Sequence, residues 1–115
     1  MAKVLIVDDE KALVELIASV VEEIGHLPLC AYDGAQGLKL AQNEKPQIIF
    51  CDIMMPVMNG YDLLEHIRQD EALANIPFIM MSAARIDPMR AARANGSLPK
   101  PFDLEKVVQY IANLP

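Results

Sequence analysis

The sequence has few cysteines, no long apolar run and no excess of positive charge. Cys30 and Cys51 lie in apolar, strand-like stretches, which is typical of small core residues in a reducing compartment rather than of a disulfide or a metal site. No apolar stretch approaches membrane-spanning length, and no charged and then apolar leader follows Met1. We therefore expect a soluble, cytoplasmic protein with no membrane partner.

The charge balance and the missing motifs exclude further classes of function. The net charge is −6, from 16 acidic and 10 basic residues, which disfavours direct contact with nucleic acid because phosphates attract positive charge. No glycine-rich loop of the form GxxxxGK[ST] is present, which disfavours a bound nucleotide. No repeat or linker divides the chain, so one domain over residues 1–115 is predicted.

The most informative stretch is an apolar run that ends in a carboxylate, Ile48–Asp52. Lys3–Val7 is a second such run, and it also leads into acids. Continuous apolar runs of this length are typical of strands covered on both faces. A third strand candidate, Leu27–Ala31, contains Pro28, which cannot donate to a ladder and so predicts an edge position. Two more short strands are predicted at 78–81 and 97–98.

Helical periodicity alternates with these strands. The predicted helices are one with Leu13, Leu16, Ile17, Val20, Val21 and Ile24 facing inward, one over 35–43 with Ala35, Leu38 and Ala41 inward, one with Leu63, Leu64 and Ile67 that ends near Asp70, a short one over 88–94, and a last one with Leu104, Val107, Val108 and Ile111 inward. This alternation predicts an α/β fold with helices on both faces of a parallel sheet. Right-handed crossovers and the edge strand favour a flavodoxin-like, doubly wound sheet of order 2-1-3-4-5.

Polar residues collect at one edge of that sheet. Asp8 and Asp9 follow the first strand, Asp52 ends the third, Ser82 ends the fourth, and Lys100 follows the fifth. Ligands bind at the carboxyl ends of strands in such folds, at the switch point between the first and third strands. Converging carboxylates repel one another, and oxygen ligands without histidine or cysteine indicate Mg²⁺ or Mn²⁺ as the balancing cation. A lysine and a hydroxyl beside that cation suit phosphoryl oxygens, and an aspartate can itself accept a phosphoryl group.

The motifs VLIVDDE at 4–10, DIMMP at 52–56 with NG at 59–60, SA at 82–83 and LPKPF at 98–102 resemble the response-regulator receiver domain of two-component signalling. The resemblance covers nearly the whole chain. It implies that Asp52 accepts a phosphoryl group from the phosphohistidine of a sensor histidine kinase or phosphotransfer protein, and that water later hydrolyses it. The domain would then catalyse only its own modification and would not be an enzyme in the ordinary sense.

The same resemblance assigns the other site residues. It implies that Asp8, Asp9, Asp52 and the backbone carbonyl of Met54 bind Mg²⁺, and that Ser82 and Lys100 contact the phosphoryl group. It also implies a cis peptide between Lys100 and the following proline. A downstream effector would be reached through the face of the fourth helix, the fifth strand and the last helix.

One segment departs from the family pattern. Receiver domains usually have a longer stretch between the hydroxyl residue and the lysine, with an aromatic residue shortly before the lysine. This chain has GSLPK at 96–100, and Ser97 stands roughly where the aromatic residue would be. We therefore expect a shortened segment from the fourth helix to the fifth strand, without the aromatic switch.

Three other functions remain open from the residues. A phosphatase with an aspartate nucleophile needs a second acid as general acid. The residue two positions after Asp52 is Met54, which is not an acid, and this argues against a phosphatase. A flavin-binding module shares this architecture, but acids at the switch point would repel the flavin phosphate. The third is a degenerate receiver that serves only as a protein-binding scaffold. The shortened segment before Lys100 is the observation that suggests it.

Overall fold

The computed structural model describes all 115 residues. Its elements in chain order are β1 (Lys3–Val7), α1 (Lys11–Glu23), β2 (Leu27–Ala31), α2 (Gly34–Glu44), β3 (Ile48–Asp52), α3 (Gly60–Gln69), β4 (Phe78–Ser82), β5 (Gly96–Pro99) and α4 (Leu104–Ala112). The five strands are parallel and lie in the order β2-β1-β3-β4-β5. This confirms the predicted flavodoxin-like fold and the edge position of the strand that contains Pro28.

Two apolar layers hold the sheet between the helices. Side chains alternate across a strand, so Leu5 and Ile49 face α2 and α3 while Ile6 and Phe50 face α1 and α4. The central strands β3 and β4 are buried along their whole length. Each fully buried side chain of this kind stabilises the fold by roughly 1.5–3 kcal/mol, so the strand ends project from a rigid platform.

The inner faces of the first two helices differ from the predicted ones. In α1 the buried residues are Val14, Ile17, Ala18 and Val21, whereas Leu16 is 50% and Ile24 is 38% exposed. In α2 the residue Ala35 is exposed, and Gly34 and Gly37 lie against the core instead. Both helices present small residues to neighbouring elements, a preference that apolar spacing alone does not reveal.

The predicted helix over 88–94 is wrong. Residues 83–95 form bends and turns, and the structure has four helices rather than five. The predicted helix offered mainly alanines to the core, and a short helix with so little apolar surface is not stabilised by packing. The cis peptide between Lys100 and Pro101 is present as predicted.

No helix of the structure combines the length and the apolar character needed to cross a membrane.

Candidate functional site

Three carboxylates meet where two adjacent parallel strands end. Val7 on β1 is paired with Cys51 on β3, so the next residue of each strand, Asp8 or Asp52, lies at the same level. Carboxylate oxygens of Asp8, Asp9 and Asp52 all lie within 4.8 Å of one another. Asp8 is fully buried, Asp52 is 5% exposed, and Asp9 is exposed to solvent. The structure therefore brings together all three acids of the predicted metal set.

Lys100 reaches into this cluster from the end of β5. Its Nζ lies 2.7 Å from Asp8 Oδ2 and 3.5 Å from Asp52 Oδ1. Its backbone N–H donates to the carbonyl of Ser82 at 2.7 Å, which aligns the ends of β4 and β5. Buried carboxylates are tolerated when a cation is paired with them, so Lys100 makes the burial of two acids possible.

The electrostatics of the site show that one lysine does not balance three acids. Burial, followed by the charge of Asp8, raises the pKa of Asp52 to about 6, and Lys100 only partly opposes this. Partial burial acts to lower the pKa of Lys100, but the hydrogen bond and charge of Asp8, with the charge of Asp52, outweigh it and raise that pKa. The three acids offer only oxygen ligands, and their negative charge exceeds the positive charge of Lys100. Both features fit Mg²⁺ or Mn²⁺.

Ser82 lies at the predicted edge but its hydroxyl is already engaged. The side chain is 2% exposed, and Oγ both donates to the carbonyl of Ala84 and accepts from the N–H of Ala84, at 2.9 Å each. Serine hydroxyls commonly close local turns in this way. Ser82 therefore closes the turn after β4, an arrangement that sequence reasoning did not predict.

The loop after Asp52 is fixed by the start of α3. Asn59 and Asp62 form a reciprocal capping box, with side chain to backbone distances of 2.9 and 3.1 Å. Gly60 packs so tightly that a Cβ there would collide with the carbonyl oxygen of Asp52. Sequence reasoning used Asn59-Gly60 only as part of the family motif and missed this close approach. The side chain of Met54 is 65% exposed, and its carbonyl as a metal ligand stays a prediction.

An aromatic residue of α4, Tyr110, packs against β5. Ser97 is exposed and paired with Met80 on β4, so no ring stands at that position. Tyr110 instead covers Gly96, where a Cβ would collide with its hydroxyl, and its ring meets Phe50 edge to face at 6.2 Å. This contact is on the α1 and α4 side of the sheet, opposite to the side that Ser97 faces.

Comparisons with known proteins agree with this geometry. Residues 4–112 match the family model described as the response regulator receiver domain. The chain is 33% identical over 115 residues to protein PilH of Pseudomonas aeruginosa, covering 96% of this chain and 95% of PilH. It is 32% identical over 118 residues to the DNA-binding dual master transcriptional regulator RpaA of Synechocystis, covering 99% of this chain and 49% of that protein.

The solved structures give the same result. The chemotaxis protein CheY4 of Vibrio cholerae superposes with a TM-score of 0.89 at 28% identity, covering 100% of this chain and 99% of the other. The receiver domain of the Francisella response regulator 1452 gives 0.89 at 29% identity, covering 99% and 96%. The chain thus spans about half the length of RpaA and nearly all of PilH.

Proposed function

The chain belongs to the response regulator receiver family, and from that membership we propose that Asp52 accepts a phosphoryl group from a phosphohistidine of a partner protein in a magnesium-dependent reaction. Receiver domains are phosphorylation-controlled signalling domains of two-component systems, not enzymes that turn over a free substrate. The observation that carries the proposal is the placement of Asp52. Its buried carboxylate lies within 4.8 Å of the carboxylates of two further acids and 3.5 Å from the Lys100 ammonium.

The transfer step needs a nucleophile and fixed positive charge. One Asp52 carboxylate oxygen forms a bond to phosphorus while the bond from phosphorus to the donor imidazole nitrogen breaks. The electron pair of that broken bond stays on the imidazole, and Asp52 becomes an acyl phosphate. Lys100, which Asp8 holds at 2.7 Å, would offer its positive charge to the phosphoryl oxygens, which carry the negative charge.

The proposed return step is hydrolysis. A water oxygen attacks phosphorus, the bond to the Asp52 oxygen breaks, and the carboxylate is restored as inorganic phosphate leaves. The domain would thus catalyse its own phosphorylation and dephosphorylation and nothing else.

The proposed metal ligands are Asp8, Asp9, Asp52 and the carbonyl of Met54. Lys100 alone does not balance the negative charge of the phosphoryl oxygens. When bound, Mg²⁺ would supply the additional positive charge. Ser82 would contact the phosphoryl group only after its hydroxyl leaves Ala84, to which it is bonded at 2.9 Å.

The proposed partners follow from this chemistry. The donor is a sensor histidine kinase or a phosphotransfer protein, and the output passes to an effector domain or protein. The proposed unit is one domain over residues 1–115. A cytoplasmic location suits the free thiols of Cys30 and Cys51, which stay reduced there.

A scaffold that is never phosphorylated is the second candidate. It is favoured by the closed Ser82 turn and by the missing ring at Ser97. Intact mass after incubation with Mg²⁺ and a small phosphodonor separates the two. One added phosphoryl group supports the receiver, and no addition with any donor supports the scaffold.

The metal proposal predicts a stabilisation by magnesium. A ligand that binds only the folded state at about ten times its dissociation constant adds about 1.4 kcal/mol, and this should raise the Tm by roughly 5 °C in a domain of this size. A thermal melt with and without MgCl₂ measures the shift, and Asp9→Ala should remove it. Glu71→Ala, which removes an exposed acid in the turn after α3, should leave the shift intact. A wild-type melt that does not respond to Mg²⁺ would argue against the site.

A further prediction concerns which residues change their environment on phosphorylation. Ser82 can turn toward a phosphoryl group, but Ser97 offers no ring that could move inward behind it. We therefore expect backbone NMR shift changes to be large near Ser82 and Lys100 and small along the outer edge of β5. Spectra with and without phosphodonor, on wild type and Asp52→Asn, give the comparison. Large changes running through β5 into α4 would show that another element, with Tyr110 the first to examine, replaces the aromatic switch.

A further inference from the structure

A groove lies between α3 and the turns of residues 83–95, where the predicted helix does not form. It encloses about 350 Å³ and is separate from the residues of the acid cluster. Its lining includes Tyr61, Leu64 and Arg68 on α3, and Met89, Arg90 and Arg93 on the turns. We call this surface the arginine groove.

Arg68 fixes one end of the groove, and no carboxylate is paired with its guanidinium. Its Nε donates to the carbonyl of Arg93 at 3.0 Å, its Nη1 to the carbonyls of Ala74 and Ile76 at 3.1 and 2.8 Å, and its Nη2 to Asn95 Oδ1 at 2.8 Å. None of these acceptors carries a charge. The guanidinium therefore ties the turns to α3 while its positive charge remains available to a partner.

The other two arginines differ in their contacts. Arg90 stacks over the Tyr61 ring at 4.7 Å and pairs with Asp62 at 3.2 Å, at a half-exposed position. Arg93 is exposed, and no carboxylate lies within 4.0 Å of its side chain. Glu65 is the one acid among the lining residues. The groove is thus a patch of positive charge on a chain whose net charge is −6.

Apolar surface accompanies that charge. Met89 is 87% exposed, although large apolar side chains usually gain by burial. Tyr61 lies on the opposite wall, and Leu64, which is 3% exposed, forms the floor. Methionine adapts its shape readily and is frequent at surfaces that bind varied partners.

The geometry points to a docking site for an acidic segment of a partner protein that also carries an apolar side chain. Carboxylates of the segment would pair with Arg93 and with the remaining Nη2 N–H of Arg68, and its apolar side chain would cover Met89. A compact phosphate ligand fits less well. Four of the five N–H groups of Arg68 are used on uncharged oxygens, and Arg90 is paired with Asp62, so no cradle of free donors converges on one point. The site is independent of Asp52 and extends beyond the proposed phosphoryl chemistry.

The test is an NMR titration of the full chain with a short peptide of glutamate and leucine. We expect shift changes centred on Tyr61, Met89 and Arg93. Arg93→Gln should weaken binding about fivefold, as expected for one charge-assisted contact at an exposed site. This variant should fold, because Arg93 supports Arg68 through its backbone carbonyl and not through its side chain. Lys106→Gln removes an equal charge from α4, across the sheet, and should change the affinity less than about twofold.

Three results would overturn the docking site. The first is the absence of shift changes at the groove. The second is an equal loss of affinity in Arg93→Gln and Lys106→Gln, which would mean that binding follows only net charge. The third is equal binding of a peptide with serine in place of leucine, or of sulfate alone, which would make the groove a simple anion site.

Discussion

We expect the Asp52→Asn variant to take up no phosphoryl group under conditions in which the wild-type chain takes up one. The carboxamide nearly matches the carboxylate in size, so it can occupy the same 5% exposed position at the end of β3. It is not a nucleophile at neutral pH and cannot form an acyl phosphate. Intact mass after treatment with Mg²⁺ and a small phosphodonor measures the effect, which should be a complete loss rather than a slower rate.

The matched control is Asp103→Asn. Asp103 is the exposed N-cap of α4, and asparagine caps a helix about as well as aspartate, so the same chemical change leaves the fold intact. This variant should be modified like the wild type. If Asp52→Asn is still modified, another acid is the acceptor, and Asp8 and Asp9 are the nearest candidates.

The convergence of the site residues was predictable because it depends on few choices. Once β1 and β3 are adjacent and parallel, with Val7 opposite Cys51, the residues that follow them must meet. Apolar runs identified these strands, and Pro28 placed β2 at the edge, which left little freedom in strand order. The end of β5 next to β4 then brought Lys100 to the same edge.

The turns of residues 83–95 could not be predicted in the same way. Their conformation depends on partners distant in sequence, since Arg68 and Tyr61 on α3 bind the carbonyl of Arg93 and the N–H of Asp87. Asn95 Oδ1 adds a bond to the N–H of Phe78 at 2.8 Å. Local periodicity contains no information on such contacts, and a weak alanine face was interpreted as a helix.

The direction of a side chain is a second limit. The position of Ser82 at the end of β4 followed from the strand pattern, but the use of its hydroxyl by Ala84 did not. A hydroxyl can serve a nearby backbone or a distant ligand with equal chemistry. The geometry shows that the hydroxyl of Ser82 is bonded to the backbone of Ala84, so the proposed contact with a phosphoryl group requires Ser82 to leave that partner.

Gly60→Ala is expected to cause the largest loss of stability from a single methyl group in this chain. A Cβ at this position would collide with the Asp52 carbonyl oxygen and would lie 2.8 Å from the Cα of Ile53. Both atoms belong to the backbone where β3 ends, and the N–H of Gly60 is bonded to the carbonyl of Ile53 at 2.9 Å. Neither side can move without displacing α3 or β3, so we expect a loss of about 3 kcal/mol in the free energy of unfolding.

Urea unfolding of wild type, Gly60→Ala and Gly25→Ala tests this, because the two glycines differ in what surrounds them. A Cβ on Gly25 would have nothing within 4 Å, but this residue adopts φ +88°, so alanine there meets backbone strain without a clash and should lose only about 1 kcal/mol. Displacement of α3 should also shift Asp52, so Gly60→Ala should take up the phosphoryl group more slowly at temperatures where it is still folded, and Gly25→Ala should not. Equal stability losses in the two variants would mean that α3 does not press against the backbone of Asp52, and the support of Asp52 would have to come from the sheet alone.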